Sequence, residues 1–210
     1  GKWNTSNVTD MEGLFYKMKD FNENISAWNT SKVENMSSMF EDADSFNRSL
    51  NNWDVSKVKT MKNMFRGAIS FNQPLNKWNV GEVMDMEEMF EAAYKFNQNI
   101  NSWNVSKVKN MSYMFNSAKE FNQPLDKWNV SSVEDMTCMF RYTKKFNQAL
   151  NSWNVSKVKY MEEMFFEAVS FNQSLNRWNV SNVKDMARMF CDAKKFNQDL
   201  SMWKVQGTTD

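Results

Sequence analysis

The 210-residue chain has no histidine, five glycines, two prolines and two cysteines. Without histidine it lacks the commonest general base and metal ligand, so it has no Ser-His-Asp or Cys-His arrangement. The glycines are scattered, which leaves no phosphate-cradling loop. Cys138 and Cys191 come without metal-ligand spacing. Charge of one sign is also missing: 26 basic residues face 25 acidic ones, for a net charge of +1. That balance argues against a nucleic-acid surface and against a polybasic membrane anchor. No apolar run is long enough to insert directly into a membrane, and there is no signal-peptide or lipidation pattern. Acids such as Asp85, Glu87 and Glu88 read as capping or solvated groups. The expectation is a non-enzyme with no catalytic residue, metal or cofactor.

What is present is periodicity. Tryptophan stands at 3, 28, 53, 78, 103, 128, 153, 178 and 203, every 25 residues without insertion or deletion. A fixed period of this length means a solenoid whose units touch only their neighbours. In the fifth unit the frame is Ile100-x-x-Trp103-x-Val105-x-x-Val108. Trp103 and Val105 alternate with Asn104 and Ser106, which suggests a short half-buried strand. Seven residues after each Trp comes Asp10, Asn35, Thr60, Asp85, Asn110, Asp135, Tyr160 or Asp185. Seven of these eight are good helix N-caps. Met111, Met114, Phe115 and Ala118 then follow at the spacing of one helix face. Phe121 opens F-N-Q-P-L, where Pro74 and Pro124 favour an extended return. Stacking would lay Trp on Trp and Phe on Phe, with methionine as adaptable core filler between them.

The expected fold class is therefore an α/β solenoid of eight 25-residue repeats, a leucine-rich-repeat-like right-handed coil. A parallel sheet of short strands forms one side and short helices the other, in one domain over 1–210. Two repeats of separation, roughly 10 Å from strand spacing, put Cys138 and Cys191 beyond disulfide reach. The column after Trp, Asn29, Asn79, Asn104, Asn129, Asn154 and Asn179, is expected to form a structural ladder between coils. The asparagines after each Phe read the same way. The N-x-S/T matches are by-products of the repeat.

The unit W-N-V-S-x-V-x-x-M-x-x-M-F-x-x-A-x-x-F-N-Q-x-L resembles the 25-residue repeat of BspA-like leucine-rich-repeat bacterial surface proteins, common in mycoplasma lipoproteins. The resemblance covers the whole chain and implies a cell-surface or secreted binding module for protein–protein or adhesion contacts. It implies a protein or glycan ligand on a host or neighbouring cell, with any signal or lipid anchor outside this segment. The family has no defined catalytic residues to carry over. A structural stalk displaying another domain and a glycan-binding array are the alternatives. The repeat starts at Trp3 and fades only at Gln206–Asp210 with no distinct cap. This leads to the expectation of a segment of a longer protein with ends that favour end-to-end self-association. The Asn and Ser columns beside Trp barely vary, whereas the position before Trp (Lys77, Ser102, Lys127, Ser152, Arg177) and the outer helix face do. The candidate binding residues are therefore Arg66, Tyr94, Tyr113, Arg141, Tyr142 and Phe166.

Overall fold

A computed structural model describes residues 3–205. The Gln206–Asp210 stretch, where the repeat fades, lies outside the described residues. The chain winds into eight stacked coils, numbered here from Trp3 (coil 1) to Trp178 (coil 8), with Trp203 opening a ninth. Equivalent aromatic rings lie nearly parallel on one another. The column Phe15, Phe40, Phe65 and onward is spaced at 5.4–5.8 Å. The column beginning at Phe21 is spaced at 5.7–6.1 Å. From Trp78 to Trp203 the indoles are 6.2–6.5 Å apart. Within each coil the two Phe rings also stack, as Phe115 does on Phe121 at 4.1 Å. The Met, Phe, Val and Leu columns of the central coils are fully buried. Each aromatic pair adds about 0.5–1.5 kcal/mol beyond its buried area.

The expected short helices are absent. Among the described residues there is no α-helix and no extended strand, only seven isolated parallel bridges from Asp10↔Asn35 to Tyr160↔Asp185. The reason is spacing. Packed helices need about 8–10 Å between axes, and the Phe columns under this segment allow under 6 Å. The backbone instead forms a ribbon of consecutive turns, 110–118 in coil 5. Tyr113 and Ser117 take positive φ, 57° and 60°, and the same two positions do so in every coil. Alternate peptide units thereby point along the stack. The amides of Met111, Tyr113, Phe115 and Ser117 donate to the carbonyls of Asp135, Thr137, Met139 and Arg141 in the next coil, at 2.8–3.0 Å. The amides between them close turns within the coil, as Asn116 does on Tyr113. A left-handed non-glycine residue costs about 1–2 kcal/mol. Four bonds per coil junction offset that cost.

The expected strand differs as well. The Trp103 amide donates to Ile100 and the Val108 amide to Val105, both across three residues, so this segment is a pair of turns. The sheet-like linkage lies in the segment expected to be helical, and the local turns lie in the segment expected to be extended. Trp and the Val two after it do face inward, with Trp103 and Val105 both buried. From Trp53 to Trp203 each indole Nε1 also donates to the carbonyl 28 residues back; Trp103 reaches Leu75 O at 3.0 Å.

Coil separation is least at the ribbon and grows towards the Trp edge, so the ribbon occupies the tight side of the stack.

Candidate functional site

Side chains in one column of consecutive coils are near neighbours, so the surface reads as columns. On the Trp edge, the asparagine expected to join coils acts locally. Asn29, Asn79, Asn104, Asn129, Asn154 and Asn179 each accept the amide two residues on with Oδ1, as Asn104 does from Ser106 at 3.2 Å. These Asx turns bend the chain and are the physical reason the strand is missing. The inter-coil ladder is the other asparagine column. Asn122 Oδ1 accepts the Asn147 amide at 3.0 Å and Gln148 Nε2 at 2.9 Å. The pattern runs unbroken from Asn22 to Asn197. The expected N-cap residues also bind an amide two residues on, as Asp135 does with Thr137, but they cap a turn ribbon.

The ribbon surface carries the variety. Arg66 is held by three carboxylates: Glu41 on coil 2, and Glu88 and Glu91 on coil 4, at 2.8–3.0 Å. Burial, then the neighbouring Glu91, pushes the Glu88 carboxyl up to about 7 against the pull of Arg66. Tyr94 stands apart, with the Lys119 ammonium 3.9 Å from its ring centre. Arg141, Tyr142 and Phe166 come together. The Arg141 guanidinium lies 4.4 Å from the Tyr142 ring centre and 5.2 Å from that of Phe166. The Tyr142 and Phe166 rings meet edge-on at 5.5 Å. Beneath them the buried Glu163 pairs with both Arg141 and Arg188. The contact between Arg141 Nε and Glu163 Oε2 is 2.6 Å but badly angled for a hydrogen bond, so it is a charge contact. Tyr113 adjoins this group through Cys138. The adjacent Cys138 thiol, then burial, pushes the Tyr113 hydroxyl up to about 12, while burial lifts the Cys138 thiol to about 11. Cys138 and Cys191 are both free, the first buried and the second exposed.

Of the six candidate residues, four thus form one aromatic-arginine patch across coils 5–7, while Arg66 and Tyr94 sit elsewhere. Sequence reasoning missed Glu163 and Arg188. They share one column with Tyr113 and Cys138, at 25-residue steps, and that register was the available signal. It also missed a 50-residue period. Coils 3, 5 and 7 carry Lys-Val-Lys at 57–59, 107–109 and 157–159. Coils 4, 6 and 8 carry Lys77, Lys127 or Arg177 before Trp and Asp85, Asp135 or Asp185 after it. The contacts alternate in step. Asn51, Asn101 and Asn151 each donate Nδ2 to the next coil and accept the amide of Lys77, Lys127 or Arg177. The reverse junctions use Ser102 and Ser152 hydroxyls instead.

Among the described residues, no group of three or more acidic or thiol side chains could hold a metal ion, and no helix is long and apolar enough to cross a membrane. Fold and surface together define a repeat solenoid with a nearly constant Trp, Asn and Ser frame on one edge and a variable ribbon. The chain belongs to the family described as Mycoplasma protein of unknown function, DUF285, whose family model matches residues 1–95, 50–141, 75–158 and 123–210. No curated protein matches it in sequence. A solved internalin from Listeria monocytogenes is similar at 9% identity with a TM-score of 0.35, over 86% of this chain and 55% of that one. A match that loose carries no argument here.

Proposed function

We propose that the chain is a non-enzymatic binding module, displayed at the cell surface or secreted, that grips a protein partner through the ribbon face. One observation carries the reading: Arg141, Tyr142 and Phe166 are already packed together on a surface whose residues change from coil to coil. Arginine and tyrosine dominate binding hot spots, and a patch held from beneath by a buried carboxylate loses little entropy on docking. The resemblance to BspA-like surface proteins supports the location. The test is an array of purified extracellular proteins and glycans probed with the full chain. A protein ligand should bind, and Tyr142→Ala with Phe166→Ala should weaken it by at least about tenfold, the loss of one hot spot, with the melting temperature little changed. Absence of any ligand on the array would favour a stalk that only displays another domain.

A further inference from the structure

The near-zero net charge conceals segregation. The outward positions four and six residues after each Trp flank a buried Val, as Lys107 and Lys109 flank Val108. Over the eight coils these two columns hold eight lysines against three glutamates. In coils 3, 5 and 7 both positions are lysine. One lysine of each pair is tied to an acid on the preceding coil: Lys59 to Glu34, Lys107 to Glu82 and Lys159 to Glu134, at 2.6–2.7 Å. The other, Lys57, Lys109 or Lys157, has no ion pair among the described residues. Near coil 8, Lys157, Lys159 and Lys184 line an open groove with Glu134 and Asn182.

We propose that this edge is a second binding surface, separate from the ribbon patch, and that its ligand is a linear acidic polysaccharide. At the second lysine of each pair the backbone is bonded to the preceding coil, Lys109 N to Met84 O for example, so the pairs recur every two coils at about 10 Å. That is close to the length of one disaccharide in an extended linear glycan, so one acidic group per disaccharide meets one lysine pair. In coils 5 and 7 the adjoining Asn104 and Asn154 have Oδ1 committed to Asx turns, which leaves their Nδ2 amides for sugar hydroxyls, while coil 3 carries Asp54 at that position. Nucleic acid fits less well. Single strands need a ladder of aromatic side chains for base stacking, and Tyr160 is the one aromatic residue in the column beside the lysines.

The test measures binding of heparin-derived di-, tetra-, hexa- and octasaccharides to the full chain, with a single-stranded oligothymidylate of matched charge as comparator. Affinity should climb by at least about tenfold from disaccharide to hexasaccharide as successive pairs engage, then level off, and should fall with salt. Lys57→Gln, Lys109→Gln and Lys157→Gln together should abolish that climb with the melting curve unchanged. Tyr142→Ala with Phe166→Ala should leave it intact, which separates this surface from the protein-binding one. No binding, binding independent of chain length, an unaffected triple variant, or tighter binding of the oligothymidylate would each overturn the proposal.

Discussion

The Trp edge and the ribbon are built from the same 25 residues, yet they solve opposite problems. At the Trp edge the backbone bonds within its own coil, and the indole and the stacked rings connect one coil to the next. At the ribbon the backbone itself connects the coils, and the side chains are released to the surface. This explains why one edge is monotonous and the other varied. A Trp that must stack on its copies and reach a carbonyl one coil back tolerates no change. A ribbon joined through main-chain atoms accepts glutamate, tyrosine, cysteine or arginine at the same position, as at Glu88, Tyr113, Cys138 and Arg188.

The sharpest test of that contrast is truncation in the core. Trp103→Ala should cost about 3–5 kcal/mol and leave the Leu75 carbonyl only the Trp78 amide as a donor, read as a drop in denaturation midpoint. Trp3→Ala should change stability by about 0.5 kcal/mol or less, because Trp3 is 62% exposed. Equal losses would mean that stacking does not organise the coils. Next come the two asparagine columns. Asn122→Ala strips the Asn147 amide of its acceptor and leaves Gln148 only the Asn122 carbonyl, and should cost about 1–3 kcal/mol. Asn104→Ala removes one exposed Asx turn and should cost about 1 kcal/mol or less. A reversed order in urea denaturation would return the ladder to the Trp edge.

A smaller effect concerns pH. The Glu88 carboxyl is raised from 4.5 to about 7 in the fold. Its contribution is therefore fully present below pH 4.5 and is lost as pH rises through 7, because the unfolded chain gives up the proton first. Glu88→Gln should flatten the fall in melting temperature between pH 5 and 8 and raise stability at pH 8. A steeper fall would mean that the Arg66 pairing dominates. The smallest change is Ala92→Gly. Ala92 sits at φ 52°, and relief of about 1–2 kcal/mol of left-handed strain against the entropy of glycine, about 0.5–1 kcal/mol, should stabilise by about 0.5 kcal/mol. A loss in thermal melting would show that the ribbon conformation is not strained there.

Much of the architecture was legible in the chain. The Trp period set the stack, and the inward positions were read correctly from Trp103, Val105, Met111, Phe115 and Phe121. Four of the six candidate surface residues proved to be neighbours. The helix expected over Met111–Ala118 was not there, because its apolar spacing fits a ribbon of turns equally well. A ladder was expected at both asparagine columns and formed only at the one holding Asn122, because sequence alone does not say which side chain spans a coil. The Glu163 anchor and the lysine pairs became visible only when residues 25 and 50 apart were laid side by side.

By itself the sequence determined what repeats, which side chains are buried and how many coils stack, since these depend only on residue type and period. The tertiary structure decided what lies between. Whether Met111–Ala118 turns back on itself or bonds outward depends on the distance to the next coil. That distance is set by Phe on Phe and Trp on Trp. At under 6 Å between Phe115 and its copies, a helix does not fit, and the backbone hydrogen bonds turn along the stack instead.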